Sequence, residues 1–150
     1  KEIQNILLWR PSDISEIEGI TAKGGNWIIL IKSATNVLKG DNFVFVYPEL
    51  LQNKMIVRTG EVITSEILEK TDLDYKNINL KIKTLLRKTR DKIKSRGSIV
   101  NEITTRGDFI KKIRDSLKIN QNNKYRLEVI SLKDSEIADP IIVELNITKL

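Results

Sequence analysis

The sequence predicts an α+β fold, a small antiparallel β pseudobarrel with two basic amphipathic helices inserted in the middle of the chain. Three observations predict it. Short apolar segments of strand length occupy both ends of the chain, apolar residues recur at helical spacing between them, and positive charge is concentrated in the same middle third. A hydrophobic fraction of 40% over 150 residues is enough for one domain with a real core.

Turn residues divide the first half of the chain into four or five strands. Pro11 is expected to end the first strand, Pro48 to end the third, and residues 39–42 to form a turn. The last two strands flank Thr59-Gly60 and predict a hairpin. The predicted strands are 6–9, 27–31, 43–47, 54–58 and 61–64.

The apolar period changes to that of a helix in the middle of the chain. Ile78, Ile82, Leu85, Leu86 and Ile93 recur at helical spacing, and Gly97 is placed to cap the C-terminus. The start of this helix stays open, because residues 78–82 alternate as a strand would. A short strand over 98–103 is expected next. A second basic helix follows, with Asp108 as N-cap and Phe109, Ile110, Ile113 and Leu117 as its apolar face.

The chain returns to strands at its end. Residues 121–123 form a loop, residues 125–132 alternate, and Asp139-Pro140 precedes a strand over 141–147. These strands are expected to complete the first sheet. We find no internal repeat or linker, so residues 1–150 are predicted to form one recognition domain with a basic helical insert at about 76–126. Because the chain begins with Lys1 rather than Met, it is expected to be a piece of a larger protein.

The composition excludes several functional classes. The absence of Cys and His excludes zinc fingers, thiol nucleophiles and histidine bases. No apolar run approaches a membrane span and no signal peptide is evident, so a cytoplasmic protein without a membrane partner is expected. The carboxylate pairs Glu16/Glu18 and Asp72/Asp74 fall in predicted loops. We therefore predict no enzyme, no metal and no cofactor, with any catalysis on other domains or subunits.

Charge is segregated along the chain. Residues 76–126 contain 16 Lys/Arg and 4 Asp/Glu, whereas residues 1–75 contain 8 and 11, and residues 127–150 contain 2 and 5. Lysine and arginine at a phosphate backbone release condensed counterions, which supplies most of the non-specific affinity for nucleic acid. A solvated helix face is the alternative interpretation. The local excess favours an anionic partner, with nucleic acid first.

The candidate contacts are ten Lys and Arg side chains of this basic third. Arginine forms a planar fork that bonds two acceptors on a guanine edge, whereas lysine is chiefly a point charge for phosphates. Two turns, Arg96-Gly97 and Arg106-Gly107, would present an arginine. The candidates are Arg87, Arg90, Arg96, Arg106 and Arg114 for base or groove contacts, and Lys88, Lys92, Lys94, Lys111 and Lys112 for phosphates.

Three aromatic residues, Trp9, Trp27 and Tyr47, have two interpretations. Such rings stack on exposed bases, but packing in the core of a small barrel is favoured here. Only 5% of the residues are aromatic, so a single-strand stacking platform is not indicated.

Residues 26–64 carry a resemblance to known families. A Trp-led strand at 26–32 precedes Lys39-Gly40-Asp41, an aromatic strand at 43–47, and Gly60-Glu61-Val62. This pattern resembles the pseudobarrels of the EVE/PUA kind, and residues 27–45 are also similar to the DNA-reading pseudobarrel of plant B-three factors. Both occur as N-terminal recognition modules in restriction systems of the McrBC and LlaJI kind. The resemblance covers about 40 of 150 residues. This sequence has no evident aromatic cage, and its basic insert has no counterpart in the family pattern.

The leading functional prediction is a DNA-binding recognition domain that binds duplex DNA through its basic surface. The resemblance implies the specificity module of a restriction or other DNA-processing system, with motor and nuclease elsewhere. Two alternatives stay open: a structural or protein-interaction module, such as a phage or assembly component whose basic block meets an acidic protein, and an RNA-binding PUA-like domain.

Overall fold

The computed structural model of the protein describes residues 5–69, 75–107 and 124–150. The predicted α+β class is confirmed, since the described residues form two helices and nine strands. Backbone contacts divide the chain into two compact units, Lys1–Lys54 (unit 1) and Met55–Leu150 (unit 2).

Unit 1 consists of a three-stranded sheet and one helix. Its elements are β1 (Asn5–Leu8), α1 (Ser12–Thr21), β2 (Trp27–Ser33) and β3 (Phe43–Gln52). The sheet has the order β1-β3-β2, with β1 parallel and β2 antiparallel to the central strand. Helix α1 lies against β3, where Ile17 and Ile20 share a small cleft with Pro48 and Leu50.

Helix α1 was not predicted from the sequence. Pro11 does end the first strand, but it also stands at the N-cap of α1 with φ −59°, the backbone angle that a helix start requires. Asp13 in the first turn interacts favourably with the helix dipole and pairs with Arg10 at 2.9 Å. Glu16 and Glu18 therefore lie on a helix, and their placement in a loop was wrong.

Strand β3 also continues past the predicted stop at Pro48. Pro48 lies opposite Ile31 of β2, at a position where β3 directs its main-chain groups away from β2. On that other side β1 has already ended, because Leu8 pairs with Val46. The missing N–H of proline therefore breaks no ladder hydrogen bond, and the strand tolerates it.

The described part of unit 2 has two sheets and one long helix. Its elements are β4 (Met55–Val57), β5 (Val62–Leu68), α2 (Tyr75–Ser95), β6 (Ile103–Thr105), β7 (Tyr125–Ser131), β8 (Ser135–Glu136) and β9 (Ile141–Lys149). One sheet has the order β5-β7-β9-β6, in which β6 is parallel to β9 and the other neighbours are antiparallel. The second sheet pairs β4 with β8.

The core of unit 2 lies between helix α2 and the four-stranded sheet. Alternate residues of β7 and β9 are buried, among them Leu127, Val129 and Val143, which are fully inaccessible to solvent. Helix α2 contacts β5 and β7, and its Leu85 is equally buried. Each such side chain stabilises the fold by about 1.5–3 kcal/mol relative to exposure.

The predicted hairpin around Thr59-Gly60 is wrong in its pairing. Strand β4 pairs with β8, and β5 pairs with β7. The turn itself is held by the loop after β7: the backbone N–H and the hydroxyl of Thr59 donate to Asp134 at 2.7 and 2.9 Å, and Gly60 N–H donates to the Ser131 carbonyl at 2.8 Å. These long-range bonds direct the chain from one sheet into the other.

Several other predictions are confirmed, and some need correction. Helix α2 and the strands at 125–132 and 141–147 are present, while the short strand expected over 98–103 occupies 103–105. The closing strands complete the sheet of β5 but not that of β2 and β3. The described strands form no closed barrel. The second basic helix and the loop at 121–123 lie outside the described residues. Neither described helix is long and apolar enough to cross a membrane.

Candidate nucleic-acid interface

Helix α2 presents one face to the sheet and the opposite face to solvent. Its buried residues Ile78, Ile82, Leu85, Thr89 and Ile93 follow one another at spacings of three or four, which keeps them on one side of the helix. This apolar face fixes the rotation of α2 on the sheet. The residues half a turn away are consequently directed outward.

The outward face carries a row of five cations and one leucine that we name the outer stripe. Its members alternate at spacings of four and three, so all project from the same side of the helix, and all are exposed. At 1.5 Å per residue the stripe is about 27 Å long. It consists of Lys76, Leu80, Lys83, Arg87, Arg90 and Lys94.

The cations of the outer stripe have no partner within the described part of the chain. None of these five side chains forms a hydrogen bond or an ion pair with another described residue. The acidic residue of α2 is Asp91, which is also exposed. The stripe therefore presents positive charge that the described residues do not neutralise.

A second set of cations, which we name the inner flank, bonds to the sheet instead. Lys88 lies 2.7 Å from the Glu66 carboxylate on β5, and Lys81 lies 3.8 Å from the same carboxylate. Lys92 donates to the main-chain carbonyl of Ile63 at 2.7 Å. Together with Arg96, these residues hold α2 against β5.

Arg96 occupies the turn that ends helix α2. Gly97, with φ +103°, donates to Lys94, and Ser98 donates to Ile93, which forms a Schellman motif. This turn directs Arg96 to the Ile56 carbonyl at 2.9 Å and to Glu61 at 2.7 Å. The hydrogen bond from Arg96 lowers the pKa of Glu61, with a further contribution from the Arg58 backbone N–H.

The predicted contact residues therefore separate into four groups. Arg87, Arg90 and Lys94 come together on the outer stripe, whereas Lys88, Lys92 and Arg96 belong to the inner flank. Arg106 is exposed after β6, and its N–H donates to the Val143 carbonyl at 2.9 Å. Lys111, Lys112 and Arg114 lie outside the described residues.

Sequence reasoning missed Lys76 and Lys83 as members of the candidate surface. Both are exposed on the outer stripe. The signal that identifies them is their spacing from Arg87 and Arg90 once the buried face has fixed the helix rotation. Lys88 and Lys92 project instead from the side of the helix that faces β5, where they bond to Glu66 and to the Ile63 carbonyl.

The candidate aromatic residues of unit 1 occupy both faces of its sheet. The strand register places Tyr47 and Phe45 on one face, and Trp9 contacts Phe45 edge-on with ring centroids 5.5 Å apart. Trp9 is 55% exposed, so it is not a core residue. Trp27 lies on the opposite face, and its indole N–H donates to the Gly24 carbonyl at 3.0 Å.

The described residues contain no group of three or more acidic side chains placed to hold a metal ion. Asp72 and Asp74 lie outside that part of the chain. Comparison with protein-family models, with curated proteins and with solved structures finds no match to this chain. The candidate function therefore rests on the side chains of this chain itself, above all on those of helix α2.

Proposed function

We propose that this protein binds duplex DNA through the outer stripe of helix α2. One observation carries the proposal. Five cations, Lys76, Lys83, Arg87, Arg90 and Lys94, lie in line on one exposed helix face without a described intramolecular partner. Cations that stabilise the fold are paired within it, as those of the inner flank are. Unpaired cations in a row are available to phosphates.

The geometry of the stripe suits a duplex. An α-helix fits the major groove of B-DNA, and a stripe of about 27 Å runs beside on the order of 16 phosphate charges. Arg87 and Arg90 lie near its centre, where their planar forks would bond guanine edges. Lys76, Lys83 and Lys94 would neutralise phosphates on either side of them.

The inner flank supports this role indirectly. Lys88 and Lys92 bond to Glu66 and to the Ile63 carbonyl, and Arg96 bonds to Glu61. These contacts restrain α2 against the sheet, so the outer stripe is presented by a fixed helix rather than a mobile one. Binding then needs to order only the long side chains of the stripe, which limits the entropy lost on association.

A more specific role follows from the resemblance of residues 26–64. By that resemblance the chain would be the specificity module of a restriction or other DNA-processing system, its strands forming part of a pseudobarrel. Arg106 and the residues Lys111, Lys112 and Arg114 would extend the contact surface. Motor and nuclease activities would then reside on other domains or subunits.

The test is a comparison of two variants that lose equal charge from the same helix. Lys83→Gln/Lys94→Gln removes two phosphate-contacting lysines of the outer stripe, and Lys81→Gln/Lys88→Gln removes two lysines of the inner flank. Fluorescence anisotropy with a labelled 20-base-pair duplex is measured at several salt concentrations. We expect the stripe variant to lose about two units of the log–log salt slope, since each phosphate contact contributes about 0.9.

The flank variant serves as the control for net charge. It should keep the wild-type salt slope, because its lysines are already paired with Glu66. Equal loss of affinity in the two variants would show that bulk charge, and not the stripe, attracts DNA. Tighter binding to a structured RNA than to the duplex would assign the stripe to RNA instead.

A protein-interaction module is the second candidate, and one observation favours it. Unit 1 exposes large apolar side chains on its sheet, among them Trp9 at 55% and Phe43 at 48%. Exposed apolar clusters of this kind mark sites of protein association. Failure of the wild-type protein to shift duplex DNA at low salt, together with tight binding to an acidic protein, would select this function.

A further inference from the structure

Strand β2 of unit 1 has a hydrogen-bonding edge that no other described strand occupies. Asn26 accepts a hydrogen bond from Asn53, and Ala34 donates one to Phe45, so residues of even number between them face β3. The main-chain N–H and C=O groups of Trp27, Ile29, Ile31 and Ser33 are directed away from β3. No other described strand pairs with β2.

This edge lacks the devices by which proteins protect exposed strands. Such edges are usually short, bulged, charged or covered. In unit 2 the edge strand β5 has a bulge between Val62 and Thr64, and Lys92 donates a hydrogen bond to the carbonyl of Ile63 there. Edge strands β1 and β6 have only four and three residues. Strand β2 has seven residues in regular register and no charge from Trp27 to Ile31.

The side chains along this edge are also exposed and apolar. Ile29 is 48% exposed and Ile31 is 59% exposed, and both lie on the sheet face that carries Pro48 and Leu50. A partner strand placed against β2 would bring its own side chains opposite these two residues. A long, flat, apolar edge of this kind pairs with another strand.

We propose that β2 pairs antiparallel with β2 of a second copy of this chain about a two-fold axis at Leu30. The exposed edge of β2 is complementary to itself. An axis at Leu30 sets Ile29 opposite the partner's Ile31, and Trp27 opposite the partner's Ser33. All four residues direct their main-chain groups outward, so every such pair exchanges two hydrogen bonds. The three-stranded sheets of two chains become one continuous sheet.

This register also packs the exposed apolar side chains of the two copies against each other. Each Ile29 packs across the junction on the partner's Ile31, and a cross-strand pair of β-branched residues is a favourable one. Leu30 meets its own symmetry mate on the other face. The same surface patch serves both copies, as an isologous two-fold interface requires.

The oligomeric state tests the proposal directly. Sedimentation velocity should give a species of twice the chain mass of 17.2 kDa. Ile29→Lys/Ile31→Lys places like charges opposite one another and should yield the monomer. The matched control, Val62→Lys/Ile67→Lys, alters two residues of similar exposure (44% and 49%) on the edge strand β5 and should remain dimeric.

The register is tested by disulfide crosslinking. Because the sequence contains no cysteine, only an introduced cysteine can form the crosslink. Leu30→Cys puts one thiol opposite its symmetry mate, in a non-hydrogen-bonded pair whose Cα separation of about 4.5 Å lies within disulfide range. Ile28→Cys lies on the same face but opposite the partner's Lys32, so two such thiols are about 13 Å apart along the strands.

Mild oxidation should therefore give a covalent dimer with Leu30→Cys and none with Ile28→Cys. A monomer at every concentration up to hundreds of micromolar would overturn the proposal, and would leave this edge for the strand of a different protein. A dimer that persists in Ile29→Lys/Ile31→Lys, or equal crosslinking of the two cysteine variants, would also overturn it.

Discussion

Arg96 and Glu61 form an ion pair, with guanidinium and carboxylate 2.7 Å apart, that joins the end of helix α2 to the residue before strand β5. Both side chains are about 30% exposed. Arg96 also donates to the Ile56 carbonyl at 2.9 Å, so one side chain connects the helix to both sheets of unit 2. Arginine suits this position because its fork bonds two acceptors in different directions.

This pair predicts a pH dependence of stability. The hydrogen bond from Arg96 lowers the pKa of Glu61 in the folded protein. The stabilisation is therefore complete above the unfolded pKa of Glu61 and is lost as the pH falls through the lower, folded pKa. Glu61→Gln should unfold about 0.5–1 kcal/mol more easily than wild type at pH 7. At pH 3 this difference should shrink.

Urea denaturation at pH 7 and pH 3 measures the effect. The control is Glu102→Gln, which removes an exposed carboxylate with no described partner. This control should unfold like wild type at both pH values. A constant difference between Glu61→Gln and wild type across the range would show that the carboxylate charge does not contribute.

Thr64 and Thr89 predict a loss of stability in which the effects of the two substitutions are coupled. Their hydroxyls share a hydrogen bond between β5 and α2, and Thr89 also donates to the Leu85 carbonyl at 2.8 Å while fully buried. Thr89→Val keeps the shape but removes these bonds and leaves Thr64 without this partner. We expect a loss of about 1–2 kcal/mol in the free energy of unfolding.

A double-mutant cycle separates this bond from the general effect of each substitution. Thr64→Val/Thr89→Val should cost less than the two single variants added together, because both partners are gone at once. Thr104→Val on the exposed side of β6 is the control and should change stability by less than about 0.5 kcal/mol. Strict additivity of the two core variants would contradict the shared bond.

Two glycine-to-alanine substitutions should change stability in opposite directions. Gly97 has φ +103°, a conformation that alanine adopts with strain, so Gly97→Ala should destabilise unit 2 by about 1 kcal/mol. Gly19 lies inside helix α1, where an added Cβ meets no atom within 4 Å. Gly19→Ala should stabilise α1 by about 0.5–1 kcal/mol. Amide hydrogen exchange resolves each unit separately, and the same sign at both sites would contradict the assigned conformations.

The sequence predicted those parts of the fold that depend on local periodicity. The apolar spacing from Ile78 to Ile93 identified α2, alternation identified β7, and the Asp139-Pro140 turn marked the start of β9. It did not predict which strands pair, because the turn at Thr59-Gly60 is controlled by Asp134, 75 residues away along the chain. Helix α1 was missed since its short apolar pattern follows a proline that also suits a turn.

The candidate site was predicted only in part, for a related reason. Composition identified the basic third, but charge counts do not distinguish a cation that faces solvent from one that bonds to the sheet. Lys88 and Lys92 could be assigned to the inner flank only from the positions of their partners, Glu66 and the Ile63 carbonyl. Lys76 and Lys83 could be assigned to the outer stripe only once the rotation of the helix was known, and the buried face of the helix determines that rotation.

Lys76 and Lys83, the two missed lysines, predict a loss of phosphate contacts when they are replaced. If the whole stripe follows the DNA backbone, Lys76→Gln/Lys83→Gln should lower the log–log salt slope by about two units and weaken every duplex alike, because phosphate contacts carry no sequence information. The free energy of unfolding should change by less than about 0.5 kcal/mol, since both side chains are exposed. Anisotropy titrations with two unrelated duplexes measure the slope and the ratio of affinities. An unchanged slope would restrict the DNA contact to the half of the helix that contains Arg87 and Arg90, and a changed affinity ratio would mean that the lysines contact bases.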